Sequence, residues 1–299
     1  MTAEEIKEME DQAEAEGIKD PEFDLEKWQR QKRAERDAAF SMMNSMAEIV
    51  RDDPESLRKY LELMIRFPAL SAGNLLLVLA QKPDAVDLRE FRIWKELGTS
   101  IRKGENAVLL LEPGSEYKRK DGSTGVYFNV KKLFDITQTR ALRNMPVEFP
   151  TDSVRLVKAL SSCAPCEIVV DGTMDRMSND LAEFDEEKQA IRIADTQDKA
   201  KLFPHLCRET AMAYMAAGDS APDHMRDTAH CVAYAVSIRK GFRPENWRFA
   251  QVCQSVADMS PREMRRFLGR IRDLTGAIVD DIHQYFIDRT EERVSEAVR

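Results

Sequence analysis

The stretch that decides the fold runs from Phe67 to Pro113 and reads FPALSAGNLLLVLAQKPDAVDLREFRIWKELGTSIRKGENAVLLLEP. Ser71 is placed to cap a helix that carries Asn74 and the apolar run Leu75–Ala80. A second short helix, around Leu88 to Leu97, sets Phe91 and Trp94 three residues apart on one face, where both are expected to join the core. Gly98 ends that helix as a C′ glycine does. Arg102-Lys103-Gly104-Glu105 then turns the chain into an apolar strand, Ala107–Leu111. Helix, helix, turn and strand within so short a span predict an α+β domain.

Outward from this stretch the same kind of signal repeats. Toward the N-terminus, Asp24 is placed to cap a long helix bearing Trp28, Ala34, Ala38, Met42 and Met46 at helical spacing. Asp53-Pro54 punctuates it, and Pro54 suits the first turn of a helix with Leu57, Tyr60, Leu61 and Met64 inward. Toward the C-terminus, Asp121-Gly122 signals a hairpin leading into a strand at Val126–Val130, with a third strand at Lys132–Ile136. Asn144-Met145-Pro146 and Pro150 read as a linker. Beyond it come a helix from Asp152, strands at Glu167–Val170 and Ala190–Ile193, and then helices over 199–217, 223–239, 244–257 and 260–286.

Several separated positions, in order, resemble the N-terminal single-stranded-DNA-binding domain of ArdC-type antirestriction proteins of plasmids and conjugative elements. Ser71, Asn74 and Gln81 fit that family's S..N...i..Q segment, and Phe91, Trp94 and Gly98 fit its f..W..lG. Lys103-Gly104-Glu105 fits kkGeK, with Asn106 in place of the usual lysine, and Phe134-Asp135 with Gln138-Thr139 fits the vFdi.QT ending. The resemblance covers roughly Arg58 to Arg140. It implies a DNA-binding α+β domain with a small antiparallel sheet over 23–145 and a mostly helical zincin-like domain over 146–299, while residues 1–22, acidic and poor in large apolar side chains, read as a disordered tail.

Charge is distributed to match. The whole chain carries a formal −8, but residues 1–57 carry −9, residues 58–145 carry +6 and the remainder −5. The basic block is thus the one that resembles a DNA-binding domain, and screening over roughly 8 Å isolates it from distant acids. Single-stranded DNA asks for cations along its backbone and flat side chains for its bases. The candidate contacts are Asn74, Gln81, Arg92, Trp94, Arg102, Lys103, Lys118, Arg119, Lys120, Lys131 and Lys132. Phe67, Phe91, Tyr117, Tyr127 and Phe128 are further stacking candidates.

In the second half the resemblance implies a helix carrying the metallopeptidase signature HExxH, in which two histidines hold zinc and the glutamate is the general base. Here that segment reads Arg208-Glu209-Thr210-Ala211-Met212. Glu209 keeps the general-base position, while arginine and methionine stand where the ligands belong. A protonated guanidinium cannot ligate zinc and a thioether is a poor zinc ligand. The expectation is a degenerate site with no catalytic residue, no cofactor and no metal, in which Arg208 pairs with Glu209 or with an acid such as Asp227. A rearranged metal site from His205, Glu209 and His230 is the alternative, and would make the chain a metallopeptidase of non-standard type.

Cys163-Ala164-Pro165-Cys166 lacks a second CxxC to complete a zinc site and lacks a redox-fold context. No apolar run approaches the ~20 residues of a membrane span, and no signal peptide pattern is present. The sequence therefore points to a cytoplasmic protein whose partner is single-stranded DNA. An interaction protein that inhibits a host defence enzyme through its acidic tail is the remaining alternative.

Overall fold

The computed structural model describes residues 25–119, 121–140, 152–176, 180–218, 223–242 and 247–297. The acidic tail, Lys120, the linker at 144–150 and the start expected at 244 for one helix lie outside the described residues. The chain divides into two compact units, one of Met1–Phe40 with Leu111–Val130, the other of Ser41–Leu110 with Lys131–Arg299.

Helix α1 spans Leu25–Asp52. Asp53 ends it and starts the next, because its carboxylate accepts the Ser56 N–H at 2.8 Å while Pro54 supplies a first-turn φ. Helix α2, Pro54–Arg66, buries Leu57, Tyr60, Leu61 and Met64 along one face. Helix α3, Ala72–Gln81, has Ser71 as its cap, and residues 75–79 are buried all round.

A three-residue strand, β1 (Leu88–Glu90), precedes helix α4 (Phe91–Glu96), so the helix expected from Leu88 begins three residues later. Gly98, with φ 75°, closes it as expected. Strands β2 (Val108–Lys118) and β3 (Thr124–Asp135) are the arms of one hairpin, and β1 pairs antiparallel with the far end of β3. The two strands expected at Val126–Val130 and Lys132–Ile136 are therefore a single one. A strand alternates side chains, not backbone, and Lys131-Lys132 interrupts the apolar pattern without breaking the ladder.

The second half begins with α5 (Ser153–Cys163), followed by β4 (Glu167–Asp171), β5 (Ala182–Asp185) and β6 (Ala190–Ala194). The sheet order is β4-β6-β5, with β4 parallel and β5 antiparallel to β6. Sequence reading missed β5, whose four residues are too few for a periodic signal. Helix α6 (Lys199–Ala216) packs on β5, β6 and α5, and against α7 (Met225–Arg239). After the short α8 (Ala250–Ser255) comes α9, Pro261–Ala297. Its buried Met264, Phe267, Leu268, Ile271, Ile278 and Ile282 recur at helical spacing, and it packs on α3, α5 and α7. The fold is α+β, as the sequence predicts.

Candidate functional site

The residues that carry the family-like pattern in the first half are mostly structural brackets. Gln81 gives both amide hydrogens away, to the carbonyls of Leu77 and Leu109 at 2.9 Å each, and its Oε1 accepts the Leu109 N–H at 2.9 Å. Its side chain clips β2 to α3. Trp94 is buried, and its indole N–H donates to the Phe134 carbonyl at 2.8 Å. Asn74 is half-buried and its backbone N–H completes the Ser71 cap at 3.2 Å.

Asp135 is fully buried. Its Oδ1 accepts the N–H groups of Val86 and Asp87 at 2.6 and 2.9 Å, and its Oδ2 accepts that of Thr137 at 2.8 Å. Gln138 reaches back to the Asp135 N–H at 2.8 Å and forward to the Asn106 carbonyl at 2.7 Å. Arg102 lies against Glu105 at 2.8 Å and donates to the carbonyls of Thr137 and Thr139. The Lys-Gly-Glu turn and the Phe-Asp…Gln-Thr segment, far apart in sequence, are thus one knot. Glu105 is held below the usual carboxylate range by the Arg102 guanidinium.

What this knot leaves outward is a smaller set. Lys103 is exposed beside Gly104 (φ 91°) and makes no ion pair among the described residues. Phe91, expected inside, is 57% exposed, with only an edge contact to Phe134 at 6.5 Å. The six-residue α4 turns one face to β3, and Trp94 takes it. Arg92 is exposed and pairs with Glu96 at 3.3 Å, Lys131 pairs with Glu90 at 2.9 Å, and Lys132 is exposed on β3.

In the other unit, the hairpin tip carries a different group. Tyr117 and Tyr127 face each other with ring centroids 4.3 Å apart, and the Arg119 guanidinium lies 5.9 Å from the Tyr117 ring. Gly125 makes the arrangement possible, because a Cβ there would fall 2.5 Å from the Tyr117 ring. Asp121 and Gly122 (φ 82°) form the turn. Lys118 is exposed and without an ion pair among the described residues.

In the second half, Glu209 is 8% exposed on α6. Its Oε2 accepts the Phe184 N–H of β5 at 2.9 Å, and its Oε1 accepts Arg208 Nε at 2.6 Å. Arg208 also reaches Asp180 at 2.9 Å. The expected pairing with Glu209 is present, but the second acid is Asp180. Asp227 instead accepts the Ser255 hydroxyl at 2.7 Å. His224, in left-handed backbone at φ 60°, lies 2.9 Å from the same hydroxyl. That hydroxyl donates its hydrogen bond to the carboxylate, and the Ser-His-Asp grouping ties the start of α7 to the end of α8.

His205 is pushed down to about 4, first by burial and then by the Arg208 charge. His230 is also lowered, by burial above all; it stacks on Trp247 at 4.8 Å and lies 3.0 Å from the Arg248 carbonyl. Among the described residues no group of three His, Cys, Asp or Glu side chains could hold a metal ion. His205, Glu209 and His230 are accordingly not gathered as a ligand set. With Arg208 bonded to Glu209 and Met212 buried, the residues present do not fit the three-ligand zinc site that the resemblance implies. Cys163 and Cys166 are free, and burial raises both thiols, the reverse of what a reactive pair needs.

The fold and these groups define an α+β protein with a bracketed small sheet, a hairpin and a helical second half built on a mixed sheet. No family model matches the chain, and no curated protein matches it in sequence. Among solved structures, it is similar to the antirestriction protein ArdC of plasmid R388 in its metal-free form, with TM-score 0.52 and 15% identity over 72% of this chain and 86% of that one. The Mn(II)-bound form of the same protein gives TM-score 0.48 and 15% identity over 72% and 84%. The chain has the ArdC-type fold. Among the described residues no helix is long and apolar enough to cross a membrane.

Proposed function

We propose that this chain is a single-stranded-DNA-binding protein with an ArdC-like antirestriction or DNA-protection role, serving a mobile element. The observation that carries the reading is the hairpin tip. It offers two tyrosine rings, an arginine over one of them and an exposed lysine. Stacking platform plus backbone cations is the combination that sequence-tolerant strand binding needs. Lys103, Arg92 and exposed Phe91 supply the same chemistry in the other unit. Gln81 and Trp94 support the fold in this reading and do not touch DNA.

The second half is a zincin-like frame without hydrolytic function. A guanidinium occupies the carboxylate that would activate water, so the site is held by a salt bridge and serves as scaffold or partner surface. The test is fluorescence anisotropy with a labelled single strand, titrated at several salt concentrations beside duplex of the same sequence. Preference for the single strand is expected, with a log–log salt slope near −0.7 for each phosphate neutralised. Equal affinity for duplex, or no binding at low salt, would end this reading and turn attention to protein partners.

A further inference from the structure

A second basic and aromatic site lies where α5 meets the C-terminal part of α9. A cleft of about 200 Å³ there is lined by Arg155, Lys158, Tyr285, Phe286, Arg289 and Thr290. Among the described residues three cations line it and no acid does. Arg155 lies 5.2 Å from the Phe286 ring and Arg289 lies 5.1 Å from the Tyr285 ring. Arg155, Lys158 and Arg289 make no ion pair among the described residues. Two nearby acids of the same helix are engaged elsewhere: Asp281 accepts the Tyr214 hydroxyl, and Asp288 accepts the Gln284 amide at 2.7 Å.

Three like charges around one small cleft repel one another and have no counter-ion among the described residues. A guanidinium held over a ring keeps its N–H edge free for bidentate bonding to an anion, and phosphate matches that edge. The two rings stand edge to face, 5.6 Å apart at 77°, so the contact between them uses the face of one ring and only the edge of the other. The Tyr285 hydroxyl is shut off from solvent and has no hydrogen-bond partner among the described residues. The Thr290 hydroxyl is already bonded to the Phe286 carbonyl at 2.8 Å. The cleft thus combines anion recognition with flat apolar surface and an orphaned hydroxyl beside them.

We infer that this cleft binds one nucleotide unit, a phosphate on the Arg155–Lys158–Arg289 cations and its base against Phe286 or Tyr285. The site is independent of the hairpin and of the DNA-binding reading of the first half. Its ligand is either a free nucleoside monophosphate or a nucleotide within a strand.

Photo-crosslinking of the full chain tests it. One arm uses an iododeoxyuridine-substituted oligonucleotide of about ten residues, a length that spans one site of this kind. The other uses free iododeoxyuridine monophosphate, and adducts are mapped by peptide mass spectrometry. An adduct at Tyr285 or Phe286 is expected, falling roughly tenfold in Lys158→Glu/Arg289→Glu as phosphate contacts are lost. Both substituted side chains are exposed, so an unchanged melting curve is expected to certify the fold. An adduct with both probes assigns the free nucleotide; one with the oligonucleotide alone assigns the strand. No adduct at these rings with either probe, or one indifferent to the charge reversals, overturns the inference. Adducts at Tyr117 or Tyr127 report on the hairpin separately, so either site can fail alone.

Discussion

Replacing Arg208 by methionine is the most direct test of how the second half is held together. The change keeps the length of the side chain and removes its charge. Glu209 then keeps only the Phe184 N–H at 2.9 Å, on a carboxylate whose side chain is 10% exposed. Breaking a fully buried pair from one side costs ~3–5 kcal/mol. Arg208 is 30% exposed and its second partner, Asp180, is 66% exposed, so the Asp180 bond contributes under ~1 kcal/mol and the whole loss is about 2 kcal/mol. That corresponds to a fall in Tm of about 4–8 °C for a mid-sized domain, and somewhat less in a longer chain. In the double variant with Glu209→Gln the buried charge is gone while an oxygen still accepts from Phe184. Most of the loss is then expected to return, giving a coupling of about 1–2 kcal/mol in the cycle. The same substitution carries a spectroscopic signature. The Arg208 charge helps hold both His205 and His230 low, so both imidazoles titrate higher in Arg208→Met, though still below the ordinary histidine value because burial is the first cause. Denaturant melts and an NMR titration of the histidine ring protons read both. A stability within ~0.5 kcal/mol of the parent, the usual range of a surface change, together with unmoved histidines would refute the idea that this guanidinium anchors the site.

Three other outcomes follow from the same geometry. His205, lowered to about 4, binds its proton more readily when unfolded; its stabilising effect is therefore full above about pH 6.5 and lost as pH falls toward 4, by roughly 2 kcal/mol after allowing for partial exposure, and urea melts at pH 7 and pH 4.5 should show the drop shrink in His205→Gln. Asp135→Ala strands three backbone N–H groups in a buried site and should cost about 3 kcal/mol or more; a change under ~1 kcal/mol would mean that water replaces the carboxylate. Gly125→Ala drives a Cβ into the Tyr117 ring, so single-strand affinity should fall about as far as in Tyr127→Ala, where loss of one stacked base corresponds to ~1–3 kcal/mol, while duplex binding and Tm change little.

How much of this was legible in the sequence depended on distance along the chain. Ser71, Asp53-Pro54, Gly98 and Asp121-Gly122 act on neighbours within four residues, and each sits where its local chemistry places it. The Arg208–Glu209 bond joins adjacent residues and was expected for the same reason. Asp180 lies 28 residues before Arg208, and no spacing rule could choose it over Asp227. Strand β5 exists because β6 and Glu209 take its backbone groups, a reason absent from Ala182-Glu183-Phe184-Asp185 itself. Phe91 and Trp94 share a helical face in sequence, but the sheet covers just one of them.

The same distinction sorts the first-half candidates by mechanism. Gln81, Trp94 and Arg102 stand out in the sequence because they are polar or aromatic at fixed separations from glycine and asparagine. In the fold those separations are the lengths needed for a side chain to reach a particular backbone group, Leu109 for Gln81, Phe134 for Trp94 and Thr137 for Arg102. A side chain committed in this way has little left for a ligand, and its removal should appear in stability. Lys103, Lys118, Tyr127 and Phe91 have the opposite profile: all are exposed, and neither lysine is paired among the described residues. Their removal should appear in affinity and in the salt slope. A pattern that resembles a binding motif is therefore, in large part, the pattern of a frame, and the binding residues we propose are those left exposed and uncommitted by it.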